Sequence, residues 1–314
     1  MDTTAFHNEV EHLQTINPQD TGDKTALGLR MGLDIDWIIT GIRPGELFVL
    51  AGRPSVGKTS LMMNIAQNMV IGNEHASVGI FSLELPAREI VARMLSSLAR
   101  FNLNDLQGQQ IQGDLKKAVE QLCKSKILID DTGSIDITNL CANARRMKAK
   151  HDVKVIFIDY LQLIKGQVCS NASRENEIAM ISGSLKAMAK ELNIPVVVLA
   201  QLNRQAEQHG DTPKLSNLRE SRAIEQDADV VALLHRDRKQ QYDLIHWLQR
   251  HVPLLHRDRK QQYDQKDGEE AKPLSAELII AKNRHGSCGT VNLNFFPEYF
   301  LFENALKTAT PPPK

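Results

Sequence analysis

The chain has 314 residues, 42% of them hydrophobic, and its 38 Lys and Arg residues balance 38 Asp and Glu. That length suits one large domain with appendages. The neutral balance neither supports nucleic-acid binding nor argues strongly against it, because a few residues in a channel can hold DNA while the exterior stays neutral. Cys123, Cys141, Cys169 and Cys288 are scattered with no CxxC pair, so a zinc site is not expected and the thiols read as reduced, as in a cytoplasmic protein. Met1–Asp20 lacks the charged-then-apolar pattern of a signal peptide, and the longest apolar runs are strand-sized, so no membrane segment is expected.

Residues 1–24 carry no apolar period and read as an arm or linker. Residues 25–45 hold Gly28, Gly32, Gly41, Pro44 and Gly45 around Trp37, which predicts a loop with a short amphipathic piece. Glu46–Ala51 is a short apolar run suited to a buried parallel strand. Gly52–Thr59 is a loop, and Ser60–Met69 has helical spacing. Further strands are predicted at Ala76–Leu83, Ile127–Asp130, Val153–Asp159, Ile194–Ala200, Asp229–Leu234 and Ala276–Ala281, with Thr290–Phe296 as an antiparallel edge. Helices are predicted over 86–100, 113–124, Ile137–Lys150 and 174–192. This alternation implies an α/β fold: a mostly parallel central sheet flanked by helices on both faces, spanning residues 25–304, with residues 305–314 as a disordered tail.

One passage is repeated. Leu233–Asp243 recurs letter for letter as Leu254–Asp264, at an offset of 21 residues. Two copies do not make a solenoid. A recent in-frame duplication, or an error of sequence assembly, accounts for it, and about 234–264 is expected to be a surface-loop insertion, which loops tolerate at low thermodynamic cost. The basic run Arg236–Lys239 and its copy Arg257–Lys260 are interrupted by Asp237 and Asp258, and read better as a solvated loop than as a nucleic-acid patch.

Gly52-Arg53-Pro54-Ser55-Val56-Gly57-Lys58-Thr59 matches G-x-x-x-x-G-K-[ST] at every fixed position, with an apolar strand before it and a helix after. The glycines let backbone N–H groups face phosphates, Lys58 is expected at the β- and γ-phosphates, and the Thr59 hydroxyl is a ligand for Mg²⁺. With Ser60, these residues form the expected nucleotide site, and the helix behind them points its N-terminus at the anion. Asp159 ends the Val153–Asp159 strand, where a carboxylate beside such a loop can hold Mg²⁺. Glu84 ends the run Gly79–Glu84, at the close of the Ala76–Leu83 strand, and can serve as general base; it reads equally as a solvated helix-start glutamate before Pro86. Gln201 can sense the γ-phosphate or simply make a loop hydrogen bond. Lys282 and Arg284 follow the late strand Leu278–Ala281, where Asn283–Ser287 looks like a tight hairpin, and read either as surface charges or as an arginine finger for a neighbouring subunit. No H-x-x-x-H or H-E-x-x-H spacing occurs, so no metal beyond Mg²⁺ is expected.

Six of these passages occur together in the order of one family. The loop at Ala51–Thr59, Phe81–Glu84, Ile158–Leu163, Gln201–Arg204, Leu218–Ser221 with Ile224–Asp229, and Ile280–Arg284 with Gly289-Thr290 resemble the C-terminal RecA-like motor domain of DnaB-type replicative DNA helicases. The match runs from about Leu27 to about Phe302. The resemblance implies a RecA-like P-loop NTPase that uses ATP and Mg²⁺, assembles as a homo-oligomer, expected to be a hexameric ring, and moves 5′→3′ on single-stranded or forked DNA. It implies Glu84 as the catalytic glutamate, Gln201 as the coupling residue, and Arg284 as a finger acting in trans with Lys282 beside it. Arg219 and Glu220 would touch the DNA backbone in the ring's channel, without reading bases. A helicase loader or a primase is the implied protein partner. The alternatives are a RecA-like DNA-stimulated ATPase that does not unwind, and an inactive regulator.

Three departures qualify the resemblance. Arg222 stands where the family carries Gly after Arg-Glu-Ser. Residues 1–24 are too short for the collar domain that precedes the family's motor, so contacts made through a collar are not expected. The duplicated insertion precedes the strand that carries Lys282 and Arg284.

Overall fold

The computed structural model describes residues 28–71, 76–103, 113–166, 173–202, 212–236 and 272–305. The expected strands form as β1 (Leu47–Gly52), β2 (Ser77–Ser82), β3 (Lys126–Asp130), β4 (Val155–Asp159), β5 (Val196–Gln201), β6 (Val230–His235), β7 (Leu274–Asn283) and β8 (Gly289–Phe296), joined by an unexpected β9 (Leu301–Asn304). Among the described residues they make one sheet in the order β3-β2-β4-β5-β1-β6-β7-β8-β9. From β3 to β6 every neighbouring pair is parallel. From β6 onward the pairs are antiparallel.

Strand composition explains this change of character. β1, β2 and β4 are buried at every residue, as required of strands covered on both faces. β7 and β8 alternate, with Ala276, Leu278 and Ile280 inward against Val291, Leu293 and Phe295, the pattern of a sheet with one wet face. β8 is therefore not the edge that its sequence suggested, because β9 pairs beyond it through Leu293↔Asn304 to Phe296↔Leu301. Four residues carry too little periodicity to announce a strand; Phe302, 2% exposed, holds β9 in place from the core side.

Among the described residues the helices are α1 (Asp36–Ile39), α2 (Lys58–Val70), α3 (Ala87–Ala99), α4 (Gly113–Lys124), α5 (Ile137–His151), α6 (Arg174–Leu192) and α7 (Arg222–Asp227). Two cores lie on opposite faces of the sheet. Leu61, Ile65 and Met69 of α2 and Ile90 and Met94 of α3 pack on Phe48, Leu50, Val78, Phe157 and Leu199. Leu140 and Ala144 of α5 and Ile181, Leu185 and Met188 of α6 pack on Leu47, Val49, Phe81, Ile158 and Val198. Alternate residues of the same strands thus feed the two layers.

Helix ends obey local chemistry. Asp136 caps α5 by accepting from Asn139 N at 2.9 Å, and Ser173 caps α6 by accepting from Asn176 N at 3.3 Å. α2 differs: its N-cap is Gly57, which has no side chain to offer its first turn. Residues 234 and 235, expected in the insertion, belong to β6. The duplicated passage from residue 237 onward, the arm 1–24 and the tail beyond residue 305 lie outside the described residues.

Candidate nucleotide site

Parallel strands put all their C-termini on one edge of the sheet, so Gly52, Ser82, Asp159 and Gln201 arrive together. The loop leaves β1 at Gly52 and enters α2 at Lys58. Ser55 (φ 60°) and Gly57 (φ 105°) take left-handed backbone to make the curl. A side chain at Gly57 would meet Phe302 Cζ at 2.9 Å, so both conformation and space require glycine there.

Lys58 is 8% exposed and donates to Gly52 O at 3.0 Å and Arg53 O at 2.8 Å. Burial pushes its ammonium down to about 8, while Asp159 and Glu84 pull it back up. Thr59 Oγ1 donates to Asp159 Oδ2 at 2.7 Å. Asp159 is 1% exposed, and burial pushes its carboxyl up to about 6; the Thr59 hydrogen bond lowers it and the charge of Glu84 raises it further. The two residues singled out for Mg²⁺ therefore touch. They do so although β5 lies between β4 and β1, because the helix start at Thr59 reaches across.

Glu84 is exposed, just beyond β2, and its charge acts on Lys58, Asp159 and Tyr160. Gln201 is the last residue of β5, in register with Gly52. Its backbone is bracketed by Gln162, which accepts from Gln201 N at 3.2 Å and donates to Gln201 O at 3.3 Å, and its side chain hydrogen-bonds Tyr160. Tyr160 and Gln162 belong to the Ile158–Leu163 passage of the family resemblance, which by itself implies no role for them. Their signal was only their position after Asp159, and no local pattern says that they would close on a strand 40 residues later.

Lys282 and Arg284 do not join this cluster. β7 runs antiparallel to β6, with Asn283 opposite Val230 and Leu278 opposite Leu234. They therefore lie near the N-terminal end of β1, about 13 Å down the sheet from the level of Gly52. Lys282 Nζ donates to Ala228 O at 2.7 Å and to Glu225 O. Arg284 Nη1 meets Asp229 Oδ1 at 3.3 Å, and Nη2 donates to Gln226 O. Asp229 also accepts from Leu47 N at 2.8 Å and pairs with Lys186 at 2.5 Å. A cleft of about 420 Å³ opens there, lined by Glu46, Lys186, Lys190, Asp229, Arg284 and His285. Arg219 and Glu220 have their backbone in the 3₁₀ stretch Leu215–Ser221, between β5 and β6; their side chains, and that of Arg222, lie outside what the structure describes.

Arg236 corrects the sequence reading. It was expected in a solvated loop but is 2% exposed, with Nη1 donating to Val56 O at 3.3 Å and its guanidinium 4.6 Å over the Phe295 ring. The charge pattern of its neighbours concealed this, because burial depends on β8 arriving from about 60 residues away. Among the described residues no helix is long and apolar enough to cross a membrane.

A glycine-rich loop between a buried strand and a helix lacking a side-chain cap, with Thr59 on Asp159, defines a P-loop α/β protein of RecA-like architecture. The chain belongs to the family of the DnaB-like helicase C terminal domain, whose profile matches residues 28–304. It is 38% identical over 303 residues to the replicative DNA helicase DnaB of Geobacillus stearothermophilus, covering 95% of this chain and 60% of that protein. It is 37% identical over 317 residues to the replicative DNA helicase DnaC of Bacillus subtilis (strain 168), covering 96% and 63%. The chain thus spans under two thirds of the length of these relatives. A DnaB-like replicative helicase, solved for its interactions with primase, shares the fold at TM-score 0.76 and 30% identity over 98% of this chain and 67% of that one. A second solved structure, of an ATPase domain alone, matches at TM-score 0.78 and 30% identity over 97% of this chain and 98% of that one.

Proposed function

We propose that this chain is the motor of a replicative-type DNA helicase, binding ATP and Mg²⁺ at Gly52–Ser60 and hydrolysing ATP to move 5′→3′ along single-stranded DNA. The observation that carries the reading is the meeting of Thr59 and Asp159 beside a buried Lys58 at the one sheet edge that also receives Glu84 and Gln201.

The donor set fits the groups proposed for it. A hydroxyl and a carboxylate in contact are the hard oxygen ligands that Mg²⁺ takes. Mg²⁺, when bound, would neutralise phosphate charge. The uncapped first turn of α2 leaves backbone N–H groups for phosphate oxygens. Lys58 has a third donor beyond the two carbonyls that it holds, and burial disfavours its charge where it stands, so an anion at that donor would be favoured. Glu84, exposed at the same edge, is the base we assign to the attacking water, and Gln201 the residue that reports the nucleotide state to the Arg219–Glu220 stretch.

Arg284 and Lys282 stand too far down the sheet to serve their own chain's loop. We assign them to the loop of a neighbouring copy, in a hexameric ring by likeness to the family. A primase is the protein partner we infer from the relative solved for that interaction.

DNA-stimulated ATPase and strand-displacement assays on the wild-type chain and Lys58→Ala test the reading. Activity in both assays, lost in Lys58→Ala, is expected. DNA-stimulated ATPase without strand displacement would make the chain a DNA-dependent ATPase that does not unwind. No ATPase at all would sink the catalytic reading.

A further inference from the structure

Arg236 follows β6 directly behind the P-loop, and its surroundings are odd for a cation. It is the largest of the fully buried side chains and carries no carboxylate partner among the described residues. One nitrogen donates to Val56 O; Nε and Nη2 have no hydrogen-bond partner among the described residues. The planar guanidinium lies over Phe295, which stacks on Phe302 at 4.3 Å between ring centres. Phe302 in turn presses on Gly57 and donates its backbone N–H to Asn64 Oδ1 of α2 at 2.8 Å. Val56 and Gly57, the two residues before the loop's lysine, are therefore held from behind by one stack of Arg236, Phe295 and Phe302.

We propose that Arg236 is a positioning residue of the nucleotide site: clamped between the Phe295 ring and the Val56 carbonyl, it fixes the loop's curvature and supplies a buried positive charge that an anionic ligand compensates. The proposal rests on the nucleotide reading above. The physical argument is one of balance. A buried cation without a counter-ion costs stability, and its replacement by an apolar side chain of similar volume is often neutral or stabilising. Cation–π contact with Phe295 and one hydrogen bond offset only part of that cost. A phosphate chain in the loop would supply the missing negative charge. The guanidinium touches the loop's backbone rather than the ligand, so its effect reaches the nucleotide through the shape and potential of the loop.

A structural arginine and a positioning arginine predict opposite patterns. Equilibrium binding of a fluorescent ATP analogue, together with thermal unfolding without nucleotide, is measured for the wild type, Arg236→Met, Arg236→Lys and Lys58→Ala. Arg236→Met is expected to melt at or above the wild-type temperature yet bind nucleotide about tenfold to a hundredfold more weakly, the range that follows when a supporting group behind a metal's ligands is lost. Arg236→Lys, which keeps the cation and a donor, is expected to recover most of the affinity. Arg236→Met with lowered melting temperature and unchanged affinity marks a purely structural residue and overturns the proposal. Should Arg236→Met fail to fold, Arg236→Lys and Arg236→Gln decide: tight binding by Lys and weak binding by Gln supports it, and equal affinities overturn it. A wild-type chain that binds no nucleotide overturns the nucleotide reading and this one with it, whereas binding by the wild type and equal binding by Arg236→Met overturns only the role of Arg236.

Discussion

Gly57 and Glu46 illustrate how single residues constrain this protein from opposite ends of β1. Gly57 sits at φ 105° with Phe302 pressed against the place of a missing side chain. Gly57→Ala must strain the backbone or displace the ring, and about 1–3 kcal/mol of stability should be lost. Nucleotide binding should fall with it, which thermal melts with and without ATP would check. Glu46 is 5% exposed, accepts from Arg43 N at 2.8 Å, and has its pKa raised above 4.5, chiefly by burial. A raised carboxyl holds more protons in the folded than in the unfolded state, so its contribution is fully present below 4.5 and is lost as pH rises through the folded value. Glu46→Gln removes that dependence. Its melting temperature relative to wild type should therefore climb as pH rises from 4.5 to neutrality; a flat difference across that range would contradict the assignment.

At the scale of elements, the duplicated passage meets a strand with no room for a second version of itself. In the first copy Ala232 precedes the repeat and pairs on both sides, with Leu50 of β1 and Ile280 of β7. The matching residue before the second copy is Pro253, which has no N–H to give to a ladder. Only the first copy suits β6, and β6 ends at His235 before most of the repeat begins. Removing residues 244–264 leaves β6, Arg236 and β7 intact and roughly halves the connection between His235 and Leu274. Because each doubling of a loop costs only about 0.6 kcal/mol, stability should change by less than about 1 kcal/mol. Denaturant titration of the deletion variant checks this. A large loss would mean that the repeat packs against the domain.

For the whole molecule, the deciding feature is polarity. The parallel strands carry the loop, Glu84, Asp159 and Gln201 to one edge, while the antiparallel turn of β7 carries Lys282 and Arg284 to the other. The proposed finger role of Arg284 therefore requires a second copy of the chain. Lys58→Ala lacks the loop's cation but keeps Arg284; Arg284→Ala has the reverse defect. Each alone should lose most ATPase activity, and mixtures should recover a measurable part, because a mixed interface can pair an intact loop with an intact arginine. No recovery at any mixing ratio would exclude action in trans.

The local chemistry of Gly52–Thr59 and the run of apolar strands were legible in the sequence alone, because loop curvature, strand burial and helix period are written in neighbouring residues. So was the membership of Glu84, Asp159 and Gln201 in one cluster, once parallel order was granted. Tertiary structure decided the rest. It inserted β5 between the loop's strand and that of Asp159, closed Gln162 and Tyr160 on Gln201, and added β9 from four residues too few to show a period. It also turned Arg236 from an expected surface charge into a buried brace, since its environment is made by Val56 and Phe295, distant in sequence on either side. Periodicity reports which face of an element is apolar; it does not report which element covers that face, and the surroundings of Arg236 are set by that second fact.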